Sequence, residues 1–197
     1  MAGKNRSALQ SRWLGGSLQL IPPLVAGSAF FVDATNGAST NSGTNWDNAM
    51  ATVDGAIAKC TAGAGDVIYI APWHTETETD STDIFTMDIS HVSLIGILAG
   101  NLRPTFTLSA TPATVTVSAA SCRISGCKII SGVAAHDYGI TATAAADNLE
   151  VDNCLFTDGG SDVLEIEVGI SIAASCDNVY IHDNRLYTVP AGGCRSA

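Results

Sequence analysis

The sequence predicts an all-β chain wound into a short right-handed parallel β-helix, with a capping helix and an extended arm at its N-terminal end. Three observations support this fold class. Similar segments recur about every thirty residues. Each repeat contains short strands of alternating apolar residues separated by small-residue turns. No helical pattern separates these strands, which excludes a sheet built from βαβ units.

Four segments between residues 92 and 186 align: "VSLIGILA", "CRISGCKI", "LEVDNCLF" and "VYIHDNRL". They begin at Val92, Cys122, Leu149 and Val179, which are 30, 27 and 30 residues apart. A sandwich would favour strands about 8–12 residues apart with hairpin turns, and no such turn separates these segments. We expect four to five coils that stack at about 4.8 Å.

The alignment also predicts which side chains face the interior. The third position of each segment is apolar throughout: Leu94, Ile124, Val151 and Ile181. The eighth position is apolar as well: Ala99, Ile129, Phe156 and Leu186. The fifth position is a bend, filled by Gly96, Gly126, Asn153 and Asp183. The sixth position places Cys127 and Cys154 on neighbouring coils, at a separation that suits stacked thiols or, in an oxidising compartment, a disulfide.

The segment 29–66 precedes the repeats and contains a strand, a loop and a helix. "AFFVDAT" from Ala29 predicts a short strand, and "WDNAMATVDGAIAKC" predicts a helix with Asp47 as its N-cap. An apolar stripe on this helix consists of Met50, Val53, Ile57 and Cys60. "GDVIYIA" then begins the parallel β-helix, which we assign to 67–190, and 191–197 forms a C-terminal tail.

Residues 1–28 are predicted to be an extended arm. Basic residues followed by apolar ones imitate a secretory signal, but the Pro22-Pro23 pair interrupts the apolar part. Such a segment buries little of its own surface, so we expect it to dock on a neighbouring subunit. Its apolar contacts would be Trp13, Leu18, Leu20, Ile21 and Leu24.

Composition excludes two classes of partner. A net charge of -10 disfavours sequence-independent binding to nucleic acid, which needs a basic surface. No apolar run reaches the roughly 18 residues that span a bilayer. The six cysteines show no zinc-binding spacing. We therefore expect no nucleic acid, membrane, metal or cofactor.

The stretch "FFVDATNGASTNSGTNWDNAMATVDGAIAKCTAGAGDVIYIAP" resembles the opening of pectin-lyase-like β-helix proteins. Those proteins often share a strand, a Gly/Ser/Asn loop, a capping helix and a Gly-Asp-x-Ile-x-Val-x-Pro strand, here Gly65 to Pro72. The resemblance covers about residues 29–190 and implies the fold. Trp73-His74 replaces the family's usual Gly-x-Tyr. The resemblance does not predict an activity for this chain, because the superfamily includes lyases, hydrolases, adhesins and bacteriophage tail and head proteins.

Family members that hydrolyse or eliminate sugars carry aspartates, or a basic residue beside carboxylates, on successive coils. Asp152 shares a column with His182, and Asn153 shares one with Asp183, so neither column holds the two carboxylates that a glycosidase needs. Arg185 is the basic residue nearest to Asp183. We therefore predict no catalytic residue, and Asp183 with Arg185 is the weaker alternative.

Two acidic runs contain the residue types that bind metal ions. The run from His74 to Asp83 follows a strand, and we predict that it is a loop that contacts a neighbour through Trp73, His74, Glu76 and Glu78. The run "DGGSDVLEIEVG" from Asp158 lacks the spacing of a calcium loop. We expect it to be a solvated protrusion, with calcium as the alternative.

These features predict a non-enzymatic virion structural protein, specifically a bacteriophage capsid decoration (cement) protein anchored by its arm. A short stack without a second capping helix favours assembly, because exposed strand edges associate. We expect a homo-oligomer, as a trimer, bound to other virion proteins such as the major capsid protein. One alternative is a tail spike, fibre or adhesin domain that binds host glycan, secreted or at a cell surface. Another is a polysaccharide lyase or hydrolase.

Overall fold

The computed structural model describes residues 27–78, 83–159 and 164–187. The described chain is a parallel β-solenoid of about four turns with very little helix. The arm residues Trp13, Leu18, Leu20, Ile21 and Leu24, and the tail 191–197, lie outside the described residues. No helix in these three ranges is long and apolar enough to cross a membrane.

Fifteen strands alternate with a few short helical turns. In chain order the strands are β1 (Ala29–Val32), β2 (Val67–Ile70), β3 (Thr75–Glu78), β4 (Phe85–Met87), β5 (Ser93–Gly96), β6 (Thr105–Leu108), β7 (Val115–Val117), β8 (Arg123–Ser125), β9 (Lys128–Ser131), β10 (His136–Ala142), β11 (Glu150–Asp152), β12 (Leu155–Thr157), β13 (Ile166–Ile172), β14 (Tyr180–His182) and β15 (Arg185–Tyr187). One α-helix, α1 (Val53–Ile57), and two 3-10 helices, Trp46–Asn48 and Gly100–Leu102, complete the elements of the described residues.

The strands form three parallel sheets that surround one core. Sheet 1 has the order β1-β2-β5-β8-β11-β14, sheet 2 the order β15-β12-β9-β6-β3, and sheet 3 the order β13-β10-β7-β4. The three sheets contain six, five and four strands, and each strand pairs in parallel with its equivalent one coil away. Because side chains alternate along a strand, one row of each strand faces the core and the next faces solvent.

The predicted inward columns are confirmed, with one exception. Leu94, Ile124, Val151 and Ile181 stack on one another in sheet 1. In sheet 2 the stack consists of Phe106, Ile129, Phe156 and Leu186. The placement of Ala99 in this second column is wrong, because Ala99 is exposed. The 3-10 helix Gly100–Leu102 is inserted before β6, so that strand begins later in this coil than in the others. Phe106 of β6 therefore occupies the inward position.

The bends between sheet 1 and sheet 2 use the left-handed backbone region. Gly126, Asn153 and Asp183 have φ angles of 74, 52 and 54°. Asn and Asp tolerate this region better than other side chains do. At Gly126 a Cβ atom would meet the Gly96 carbonyl oxygen at 2.6 Å, so close stacking of the bends also requires glycine there.

The N-terminal end of the solenoid is capped, though by a shorter helix than the sequence suggests. The apolar stripe faces the core: Met50, Val53 and Ile57 are buried. The prediction that Asp47 caps a helix over 46–60 is wrong. The Asn45 side chain accepts from the backbone N–H of Asn48 and caps a 3-10 turn, and α1 begins later with Thr52 as its N-cap.

The last described coil is open. Ile172, Ile181 and Leu186 hold inward positions in the three sheets, stacked on Ala142, Val151 and Phe156. They are nevertheless 40, 42 and 67% exposed. Within the described residues, no further element covers them.

Candidate functional site

Charged side chains of three successive coils meet on the outer face of sheet 1. Strands β8, β11 and β14 place Arg123 next to Glu150, and Ser125, Asp152 and His182 in the adjacent row. The predicted pairing of Asp152 with His182 in one column is confirmed. We call Arg123, Glu150, Asp152, His182 and Asp183 the sheet 1 network.

Asp152 is the centre of this network. Its Oδ1 atom accepts from Arg123 Nε at 2.9 Å. Its Oδ2 atom accepts from Arg123 Nη2 at 3.1 Å, from Ser125 Oγ at 2.9 Å and from Asn153 Nδ2 at 2.9 Å. An ionised carboxylate offers about four acceptor positions. Four donors therefore fill the hydrogen-bonding capacity of a buried carboxylate.

The electrostatics of the pair follow from this geometry. Burial opposes ionisation of Asp152, but the hydrogen bonds from Arg123, Asn153 and Ser125 outweigh it and lower the pKa of the Asp152 carboxyl. The hydrogen bond to Asp152 in turn raises the pKa of Arg123 above its ordinary value. Each shift favours the charged form of its group, as expected for a hydrogen-bonded ion pair.

His182 extends the network to the last coil. Its Nε2 atom lies 3.1 Å from Glu150 Oε1, and its Nδ1 atom lies 2.9 Å from Asp183 Oδ2. Hydrogen bonds to Asp183 and Glu150 raise the pKa of His182. Glu150 also lies 3.6 Å from Arg123 Nε. The Glu150 carboxylate thus lies between Arg123 and His182, which belong to different coils.

Glu150, Asp152 and His182 have the composition of a metal site, and their ligand atoms lie within 4.8 Å of one another. The donors around Asp152 already occupy its oxygens, and the Arg123 cation lies where an ion would need negative charge. The arrangement therefore fits a charge network that links three coils better than it fits a ligand shell.

The alternative catalytic residues lie on consecutive elements of the last described coil. Asp183 lies at the bend after β14 and bonds to His182. Arg185 lies in β15, in sheet 2, and pairs with Leu155. Sequence reasoning missed Arg123 and Glu150. The aligned repeats could have identified both residues. Glu150 is two residues before Asp152, so it lies on the same face of the strand, and Arg123 occupies the equivalent position one coil earlier.

The prediction that residues 74–83 form a loop is wrong for Thr75–Glu78, which form strand β3. His74 is fully buried and cannot contact a neighbour. Its Nδ1 atom accepts from Ala34 N at 2.9 Å, so its Nε2–H donates to Glu76 Oε1 at 2.6 Å. Glu76 Oε1 also accepts from Val53 N at 2.8 Å. This dyad joins the segment that follows β1 to α1 and β3.

The remaining predicted residues are placed as follows. Trp73 is exposed, whereas Glu78 faces inward beside Leu108, and a contact with a neighbour stays a prediction. In the predicted acidic run, Asp158 is buried whereas Glu165 and Glu167 are exposed, and Ile166–Ile172 are strand β13. Cys127 and Cys154 stack as predicted, as free thiols in contact.

Comparisons with known proteins support the fold. No family model and no curated protein sequence matches the chain. Among solved structures, the chain is similar to a rhamnogalacturonan lyase, with a TM-score of 0.56 and 23% identity. The match covers 68% of this chain and 37% of that chain, so this chain spans little more than a third of the lyase. At this identity the likeness shows a shared parallel β-helix fold alone.

Proposed function

We propose that the chain is a non-enzymatic structural subunit of a bacteriophage virion, specifically a capsid decoration protein. The observation that carries the proposal is the open last coil, in which Ile172, Ile181 and Leu186 expose inward positions of all three sheets. Apolar surface next to unpaired strand edges is typical of an interface. In this proposal another protein chain covers that end.

The sheet 1 network suits a structural role. The hydrogen bonds between Arg123 and Asp152, and between His182 and Glu150, link successive coils side by side. Such links stiffen a solenoid, whose units otherwise contact only their neighbours. The proposed partners are further copies of the chain, as a trimer, and the major capsid protein, which the arm 1–28 would bind.

Light scattering on the purified full chain tests the assembly. We expect a trimer that Leu186→Glu converts to a monomer, because the charge would be buried in the interface. Thr77→Glu, at an exposed position near the opposite end, is the matched control and should stay trimeric. Circular dichroism should show the same fold for all three proteins. A wild-type chain that is monomeric at every concentration would contradict the proposal.

Gold-labelled antibodies against the recombinant chain test the virion assignment. We expect uniform labelling of the heads of particles from cultures that carry the gene. Deletion of residues 1–28 should abolish this labelling and leave the oligomer intact. Labelling confined to the tail would indicate that the chain is a tail spike or fibre protein and not a decoration protein. Particles without the chain would contradict both.

A polysaccharide lyase is the second candidate, favoured by the similarity to a rhamnogalacturonan lyase. Elimination requires a base that removes a proton beside the uronate carboxyl group while the glycosidic oxygen leaves, which produces an unsaturated sugar. Incubation with rhamnogalacturonan, followed by the ultraviolet absorbance of that product, tests it. Product that Asp183→Asn abolishes would support the lyase and contradict a purely structural role.

A further inference from the structure

An open cleft lies beside sheet 1, near the N-terminal end of the solenoid. Because β1, β2 and β5 are parallel neighbours, the segments that follow them meet at one edge of the sheet. These segments and the 3-10 helix at Trp46 form the walls of the cleft, which has a volume of about 520 Å³. The volume lies within the range of small-ligand sites, about 300–1,000 Å³. The sheet 1 network lies on later coils, so this cleft is a separate feature.

The lining combines an aromatic wall with polar groups. Its polar residues are Asp33, Asn36 and Asp47, and its apolar residues are Trp46, Ala71, Pro72 and Ile97. The Trp46 ring centroid lies 4.7 Å from that of Phe31 in an edge-on contact, and Trp46 stays 41% exposed. Phe31 therefore holds the indole while part of the ring remains open to a ligand.

The polar groups are also held in place. Asp33 Oδ1 accepts from Thr35 N at 2.8 Å and from Asn36 N at 3.3 Å. Asp33 Oδ2 accepts from Asn36 Nδ2 at 2.8 Å. Although partial burial opposes ionisation, these hydrogen bonds lower the pKa of Asp33. A fixed carboxylate loses little conformational freedom when a ligand binds.

The charge of the lining decides which ligand class fits. It contains two aspartates, and the seven described residues that line the cleft include neither lysine nor arginine. An anionic ligand such as a uronate or a phosphate would meet like charge. Carboxylate and amide oxygens instead accept hydrogen bonds from hydroxyl groups, and an indole face packs on the apolar C–H face of a sugar ring.

We propose that this cleft binds a short neutral oligosaccharide, with Trp46 against a sugar ring and Asp33, Asn36 and Asp47 bonded to its hydroxyl groups. A second exposed aromatic residue, Trp73, directly follows the lining residue Pro72 and is 67% exposed. Its backbone is held at a φ of 56°, with its N–H donated to Leu102 O at 3.1 Å. The cleft does not depend on the proposed assembly.

Isothermal titration calorimetry on the full chain tests the proposal. The probes are tetrasaccharides of glucose, galactose, mannose and N-acetylglucosamine, with tetragalacturonate as the anionic counterpart. We expect at least one neutral probe to bind with a millimolar or tighter dissociation constant, and tetragalacturonate not to bind. Absence of binding by every neutral probe, or equal binding of tetragalacturonate, would overturn the proposal.

Three variants locate the site of any binding. Trp46→Ala should weaken the affinity by about tenfold through loss of the stacking surface. Asp47→Asn keeps the Phe31–Trp46 contact and should weaken it by several-fold, about the loss expected when a charged acceptor becomes neutral. Tyr138→Ala removes a similarly exposed aromatic residue on β10 and should leave the affinity unchanged. If Trp46→Ala does not fold, the affinity of Asp47→Asn alone decides whether the ligand binds in this cleft. Affinity that Asp47→Asn leaves unchanged overturns the assignment.

Discussion

The two ends of the solenoid hold the same kind of side chain in different surroundings. At the N-terminal end, Phe30 and Val32 of β1 are buried beneath Met50 and α1. At the other end, Ile181 continues the column of Leu94, Ile124 and Val151, yet 42% of it is exposed. An inward position is therefore buried by the neighbouring coil or cap, and its residue type alone does not bury it.

Polar contacts follow the same gradient. His74 and Glu76 form a buried dyad under the cap. Asp152 is buried but its partner Arg123 is partly exposed, and at the last coil Asp183, the partner of His182, is largely exposed. Hydrogen bonds strengthen as the surroundings lose water, so we expect these contacts to weaken from the capped end to the open end.

The largest expected effect compares two positions of one column. Leu94→Ala should lower the free energy of unfolding by about 2–5 kcal/mol, because it leaves a cavity in a closed core. Ile181→Ala should cost less than about 1 kcal/mol while that position is exposed. Urea unfolding of the monomeric Leu186→Glu background measures both. Equal losses would contradict the difference between the ends.

The next effect tests the buried dyad at the capped end. Glu76→Ala leaves His74 Nε2–H and Val53 N without their acceptor, and should cost about 1–3 kcal/mol. Thr77→Ala, at an exposed position of the same strand, should change stability by less than about 0.5 kcal/mol. Thermal unfolding of both variants is the measurement. A Glu76→Ala protein as stable as Thr77→Ala would show that the dyad does not stabilise the cap.

The Asp152 pair should give a smaller, pH-dependent effect. The pKa of Asp152 is lower in the folded state than in the unfolded state. Its contribution to stability is therefore fully present above the unfolded pKa of about 3.9 and is lost as the pH falls through the folded pKa. Asp152→Asn should cost about 1–2 kcal/mol at neutral pH. Urea midpoints between neutral pH and about pH 2 should converge for wild type and variant. Parallel curves over that range would refute this role.

The smallest effect concerns His182 at the open end. Its folded pKa is raised, so its contribution is present below the unfolded value of about 6.5 and is lost as the pH rises through the folded pKa. An NMR titration should place the midpoint of His182 above about 6.5. Glu150→Gln and Asp183→Asn should each lower that midpoint. A midpoint that neither substitution changes would exclude the hydrogen bonds as its cause.

The fold could be predicted from the sequence because the repeat fixes which residues stack. The prediction was wrong where a coil departs from the repeat: the 3-10 helix Gly100–Leu102 moves Ala99 out of the core. It was also wrong for His74, because its burial depends on Ala34 and Glu76, which no periodicity links. The cleft was missed for the same reason, since its walls come from separate segments that only the parallel pairing brings together.

Hydrogen exchange of the backbone amides tests most directly whether another chain covers the open coil. It should be measured on the full chain at concentrations above and below assembly. We predict that protection of β14 and β15 rises with concentration, while protection of β5, in the middle of the same stack, stays constant. Exchange of β14 and β15 that is equally fast at every concentration would contradict the proposed interface.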